Sequence, residues 1–146
     1  MPVHKPTPDV LSLIVCDQII TDRLTGKQSL IGMFSKVHAF NFPATHPQLC
    51  VYVCLTDGHG RNEITIRIID SNEVRNAIVE GKGTVQFNDP RAVANLFLQF
   101  HGLTFPEPGE YRVQLYADGQ LLREARLELI KISPRPQNEA PQTEQL

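Results

Sequence analysis

The chain has 146 residues, of which 41% are hydrophobic and 21% charged, with a formal net charge of −2. That describes one soluble domain with a core of its own, and it excludes a disordered chain or a strongly basic nucleic-acid binder. No window approaches the roughly 20 uncharged apolar residues of a membrane helix.

Met1–Pro8 reads as an extended lead-in, with no apolar run behind a basic stretch as a secretory signal requires. The expected mature protein is therefore the whole chain, in the cytoplasm. Side chains then alternate in period two, the mark of half-buried strands. In 48–56, Leu49, Val51, Val53 and Leu55 oppose Cys50, Tyr52 and Cys54. In 62–70, Ile64, Ile66 and Ile68 oppose Thr65 and Arg67, and in 111–118, Tyr111, Val113, Leu115 and Ala117 oppose Arg112, Gln114 and Tyr116. The strands are expected at 9–20, 28–40, 48–56, 61–70, 76–87, 94–103, 110–118 and 121–132. Residues 90–100 fit a helical stripe as well as an alternation of Leu96, Leu98 and Phe100. The alternation is preferred, with one helical turn over 89–94 left open.

Turn chemistry fills the gaps. Thr25-Gly26-Lys27 and Asp57-Gly58-His59-Gly60 read as hairpin loops, Asp118-Gly119 as a two-residue primed turn, and Asp70–Glu73 as a fourth turn. Gly81-Lys82-Gly83 reads as a bulge. Residues 133–146, rich in proline and poor in apolar side chains, are expected to be a disordered tail. The expected architecture is all-β: an antiparallel two-sheet sandwich of about eight strands over 9–132.

Two segments carry a resemblance. Cys16-Asp17-Gln18-Ile19-Ile20-Thr21-Asp22, followed by Thr25-Gly26-Lys27-Gln28-Ser29-Leu30-Ile31-Gly32-Met33-Phe34, resembles the opening of a family of small uncharacterised bacterial β-sandwich proteins. Phe105-Pro106-Glu107-Pro108-Gly109-Glu110-Tyr111, with Asp118-Gly119, resembles the closing hairpin of immunoglobulin-like and fibronectin-like sandwiches. The resemblance implies a fold and a bacterial origin, and it brings no activity. In such a hairpin the Tyr111 ring points inward and its hydroxyl bonds the backbone.

Candidate chemistry is sparse. Asp17 lies in a run apolar on both sides, where a buried carboxylate needs a partner such as Lys27 or Lys36. Asp17 and Asp22 with a histidine form the candidate set for a metal-binding or hydrolytic domain. The competing reading makes Asp17 a register-fixing or exposed polar residue. Asp57, Asp70, Asp89 and Asp118 all sit at turns expected at opposite ends of a sandwich, so they do not form a calcium cage. His38, His46, Cys50, Cys54, His59 and His101 lack zinc-ligand spacing. Within an extended strand, Cys50 and Cys54 lie about 13 Å apart, beyond the roughly 7 Å limit for a disulfide, so the three cysteines read as small buried thiols. No nucleophile elbow or phosphate loop occurs. One feature remains: apolar residues on both faces of several strands, with Ile14, Cys16 and Ile20 opposite Leu13, Val15 and Ile19, and Ile69, Tyr116, Ile130 and Ile132 on nominally outer faces. Such surplus marks either cover by loops or an interaction patch. The expected function is a non-catalytic protein-interaction module, with a protein partner or a second copy of itself. No cofactor, metal, catalytic residue, nucleic acid or membrane is expected. Asp17, Asp22, Lys27, Tyr111 and Tyr116 are the residues singled out.

Overall fold

A computed structural model describes residues 5–72 and 77–134. It contains nine strands: β1 (Asp9–Thr21), β2 (Gln28–Met33), β3 (Lys36–Ala39), β4 (Ala44–Thr56), β5 (Gly60–Asp70), β6 (Val79–Phe87), β7 (Val93–Phe105), β8 (Gly109–Ala117) and β9 (Gln120–Lys131). They form two stacked sheets, one in the order β2-β1-β4-β7 and the other β3-β9-β8-β5-β6. The order β1-β4-β7 against β9-β8-β5-β6 repeats A-B-E against G-F-C-C′ of the immunoglobulin arrangement. β2 and β3 are added at the margins.

Alternation fills the space between the layers as expected. Leu49, Val51, Val53 and Leu55 of β4 face Ile64, Ile66, Ile68, Val113, Leu115, Leu127 and Leu129 of the other sheet, all at 0–1% exposure. Burying each of these side chains stabilises the fold by about 1.5–3 kcal/mol. Tyr111 closes the crossing from β7 to β8. Its ring meets Phe105 edge-on at 5.1 Å. Its hydroxyl donates to the Glu107 carbonyl at 2.7 Å and accepts the Glu107 N–H at 3.3 Å. This is a tyrosine corner. The Asp118-Gly119 turn has φ of 49° and 83°, the two positive values that a type I′ hairpin demands.

Four expectations are corrected. The run 28–40 is two strands in different sheets. The Phe34 N–H donates to the Val15 carbonyl of one sheet, and the next residue's carbonyl, that of Ser35, accepts from Glu128 of the other. β3 then runs parallel to β9, so the five-stranded sheet is mixed. Asp57–Gly60 is likewise no hairpin loop, since it carries the chain from β4 in one layer to β5 in the other. Gly81 and Gly83 form no bulge. Their register with Ile66 and Ile64 is unbroken, and both face inward. A Cβ there would lie 2.8 Å from Phe100 Cε1 and 2.6 Å from Leu96 Cδ1, so the two glycines are notches that let β7 settle onto β6. Before Val93 there is a single turn, in which Asp89 accepts the Ala92 N–H on its carbonyl and the Arg91 N–H on its side chain. Residues 93–105 are strand throughout, as the preferred alternation of Leu96, Leu98 and Phe100 expected.

Lys5 of the lead-in hydrogen-bonds the Arg61 carbonyl and lies 3.9 Å from Asp118. Met1–His4, Glu73 of the fourth turn and the tail from residue 135 lie outside the described residues.

Candidate functional site

Residues directly opposite in an antiparallel pair point to the same face, so the register fixes what the four-stranded sheet turns outward. Met33 lies opposite Cys16, Cys16 opposite Cys50, and Cys50 opposite Gln99. The adjacent row runs Ile14, Tyr52, Phe97 and the next Ser12, Cys54, Asn95. Toward the other end come Gln18 with Ile31, Ile20 with Ser29, and Gln48 with His101. From Ser12 to Ile20, and across the strands opposite, none of these positions is Asp, Glu, Lys or Arg. Charge returns only at the rims, with Asp9 opposite Thr56 at one end and Asp22 and Lys27 in the β1–β2 turn at the other.

The centre of this face is closed and its flanks are open. Cys16 and Cys50 are 0% and 1% exposed, while Met33 is 67%, Val93 61% and Phe97 38% exposed. Burial, before any neighbouring charge, pushes both central thiols above the usual range. The Sγ atoms of Cys16 and Cys50 lie 3.6 Å and 3.7 Å from the carbonyls of Gln18 and Asp17. Tyr52 accepts a hydrogen bond from Asn95 at 3.4 Å. All three cysteines are free, as the sequence implied. The sequence reading missed that Cys16 faces Cys50. That pairing is set by register between distant strands, which no local spacing reports.

The other outer face is ionic. Arg112 binds Glu110 at 3.2 Å and Glu124 at 3.1 Å, and Arg126 lies 3.4 Å from Glu110. Lys82 meets Glu63 at 3.6 Å and Arg67 meets Glu80 at 3.7 Å. Tyr116 donates to Gln114 at 2.9 Å, and Gln114 donates to Glu124 at 2.8 Å. Tyr116 and Ile69 thus sit on a face crossed by ion pairs, apart from the uncharged one.

Asp17 is not buried. Its side chain is 61% exposed and faces His46 Nε2 at 3.9 Å, and it makes no ion pair with Lys27 or Lys36 among the described residues. Gly32, at φ 70°, makes room for it, since a Cβ there would fall 2.5 Å from the carboxylate. The Phe34 ring meets the His46 ring tilted at 48°, with centroids 5.4 Å apart. Together with Lys36 and His38 these residues line an open cleft of about 330 Å³. Asp22 is not part of it. Five residues further along an extended chain lie about 17 Å away, and there the Asp22 carboxylate accepts the Leu24 and Thr25 N–H groups at 2.8 and 2.9 Å. Those bonds, Thr25 first, hold its carboxyl below the usual range. The Lys27 carbonyl accepts the Asp22 N–H at 2.8 Å, closing the same turn. Among the described residues no three His, Cys, Asp or Glu side chains gather as a metal set.

A family model described as a family of unknown function, DUF6941, matches residues 11–130. The chain belongs to this family. No curated protein matches the DUF6941 chain. Among solved structures it is similar to a β-glucosidase from Listeria innocua in complex with glucose, at 14% identity and TM-score 0.44, over 68% of this chain and 15% of that one. The same enzyme with isofagomine gives 12% identity and TM-score 0.45 over 87% of this chain and 17% of that one. The β-glucosidase EmGH1 from Erythrobacter marinus gives 20% and 0.45, over 66% and 14%. The DUF6941 chain therefore spans less than a fifth of those enzymes, and likeness at this level assigns it no activity. Among its described residues no helix is long and apolar enough to cross a membrane.

Proposed function

We propose that this chain is a non-catalytic protein-interaction module of a bacterial cytoplasm, and that it binds through the outer face of the four-stranded sheet. One observation carries the reading: the outward rows Met33–Cys16–Cys50–Gln99 and Ile14–Tyr52–Phe97 hold no ion, while the opposite face is laced with ion pairs. Covering a charged face strips water from ions and costs several kcal/mol for each one left without a partner. Covering the neutral face carries no such cost. Each Å² of apolar surface removed from water there contributes about 25 cal/mol. The apolar surface open to a partner lies on the flanks, at Met33, Val93 and Phe97, inside a charged rim, and apolar area within a polar rim is the common anatomy of protein interfaces.

The test compares three proteins as bait in a bacterial extract: the wild type, Ile31→Lys with Met33→Lys on the neutral face, and Thr84→Lys on the ionic face. The expected result is a protein retained by the wild type and by Thr84→Lys and lost with the double variant. Retention that does not distinguish the double variant, with all three equally folded by circular dichroism, refutes the reading.

A further inference from the structure

Four strands end a sheet: β2 and β7 in one layer, β3 and β6 in the other. An edge strand offers a row of open N–H and C=O groups to another strand, and native edges are blunted by shortness, charge, proline or bulges. β3 has four residues and β2 has six. β6 carries Glu80 and Lys82. β7 has none of these defences. It runs thirteen residues without Asp, Glu, Lys, Arg or Pro, and its register on β4 never shifts. Its one departure is Gly102 at φ 61°, which leaves 93–101 as an uninterrupted template.

We propose that β7 pairs antiparallel with β7 of a second copy about a two-fold axis, joining two four-stranded layers into one eight-stranded sheet. The proposal deepens the interaction reading by naming one partner of the same face. Charge selects the occupant. Antiparallel self-pairing sets the N-terminal end of one strand beside the C-terminal end of the other, and within β7 there is no charge to oppose its own copy. The flanks are of opposite sign. Arg91, its side chain 91% exposed although 3.5 Å from Asp89, precedes the strand, and the exposed Glu107 follows it. With the strands fully overlapped the axis passes through Gln99, and the turn carrying Arg91 in each copy comes next to the corner carrying Glu107 in the other. About this axis the unbroken stretches of the two copies face each other over 97–101 and supply about five backbone hydrogen bonds, the lower end of the roughly ten ± five of a standard interface. Val93 and Phe97 then lie beside the seam, and the two uncharged faces become one.

The test is light scattering of the full chain over a dilution series, for the wild type, Gln99→Lys and Gln99→Glu. The wild type is expected to pass from monomer to dimer. Each variant sets like charges side by side at the axis and is expected to weaken the dimer about tenfold or more. Mixing the two variants is expected to restore association as a heterodimer. A wild type that stays monomeric throughout, or variants that associate as it does, overturns the proposal. Ile31→Lys with Met33→Lys alters β2, at the far margin of the same sheet, and is expected to leave the dimer intact. Loss of self-pairing and loss of partner binding are thereby told apart.

Discussion

On the five-stranded sheet the outward rows hold Arg112 between Glu110 and Glu124, Lys82 against Glu63 and Arg67 against Glu80; on the four-stranded sheet the corresponding rows hold Met33, Cys16, Cys50 and Gln99, or Ile14, Tyr52 and Phe97. Both faces rest on the same interior and the same pleat, so strand geometry does not require the difference. The ionic face is complete in water, because each of these charges has a partner close by. The neutral face has apolar flanks still open to solvent and no ions to strip. A fold that needed only to be stable would gain nothing from withholding charge from one side.

The comparison breaks most readily at its centre. Cys50→Asp puts a carboxylate where exposure is 1%, opposite Cys16 at 0%, and is expected to cost about 3 kcal/mol or more in urea unfolding. A loss below about 1 kcal/mol would mean that water already reaches the middle of the neutral face, and the contrast would fail. On the other side, Glu124→Ala removes one partner each from Arg112 and Gln114. The expected loss is about 1–2 kcal/mol, and no loss would make the network decorative. The smallest effect lies at the rim. The Asp22 carboxyl is held below its usual range by the Thr25 and Leu24 N–H groups. Its contribution to the turn is therefore present above the unfolded value near 4 and fades as pH falls through the lower folded value. Amide signals of Leu24 and Thr25 in an acid titration should report that loss, and Asp22→Ala should abolish it.

Period-two alternation made the layers legible, because Leu49–Leu55 and Ile64–Ile68 have their inner faces dictated by burial. Tyr111 was legible because a proline-glycine corner ahead of an inward tyrosine is a local pattern. The step at Phe34–Ser35 was not. Half-buried strands on both sides of it share one hydrophobic rhythm, and the nearby Gly32 lies inside β2, not at the change of layer. Gly81 and Gly83 read as a bulge because the residues they make room for, Leu96 and Phe100, belong to a strand of the other sheet. The neutral face was glimpsed in β1 from Ile14, Cys16 and Ile20. Its extent depends on β2, β4 and β7 lying beside β1, and strand adjacency is not written in any one segment. Asp17 was read either as a buried carboxylate needing a partner or as a register-fixing or exposed polar residue, and the open cleft beside His46 leaves it exposed.

The parallel contact of β3 has a bearing on how the chain folds. Lys36 lies beside Glu128, so β3 has its strand neighbour only in β9, the last of the described strands. Contacts so distant along the chain form slowly. The change of layer at Phe34–Ser35 is therefore secured by a strand more than eighty residues further along the chain.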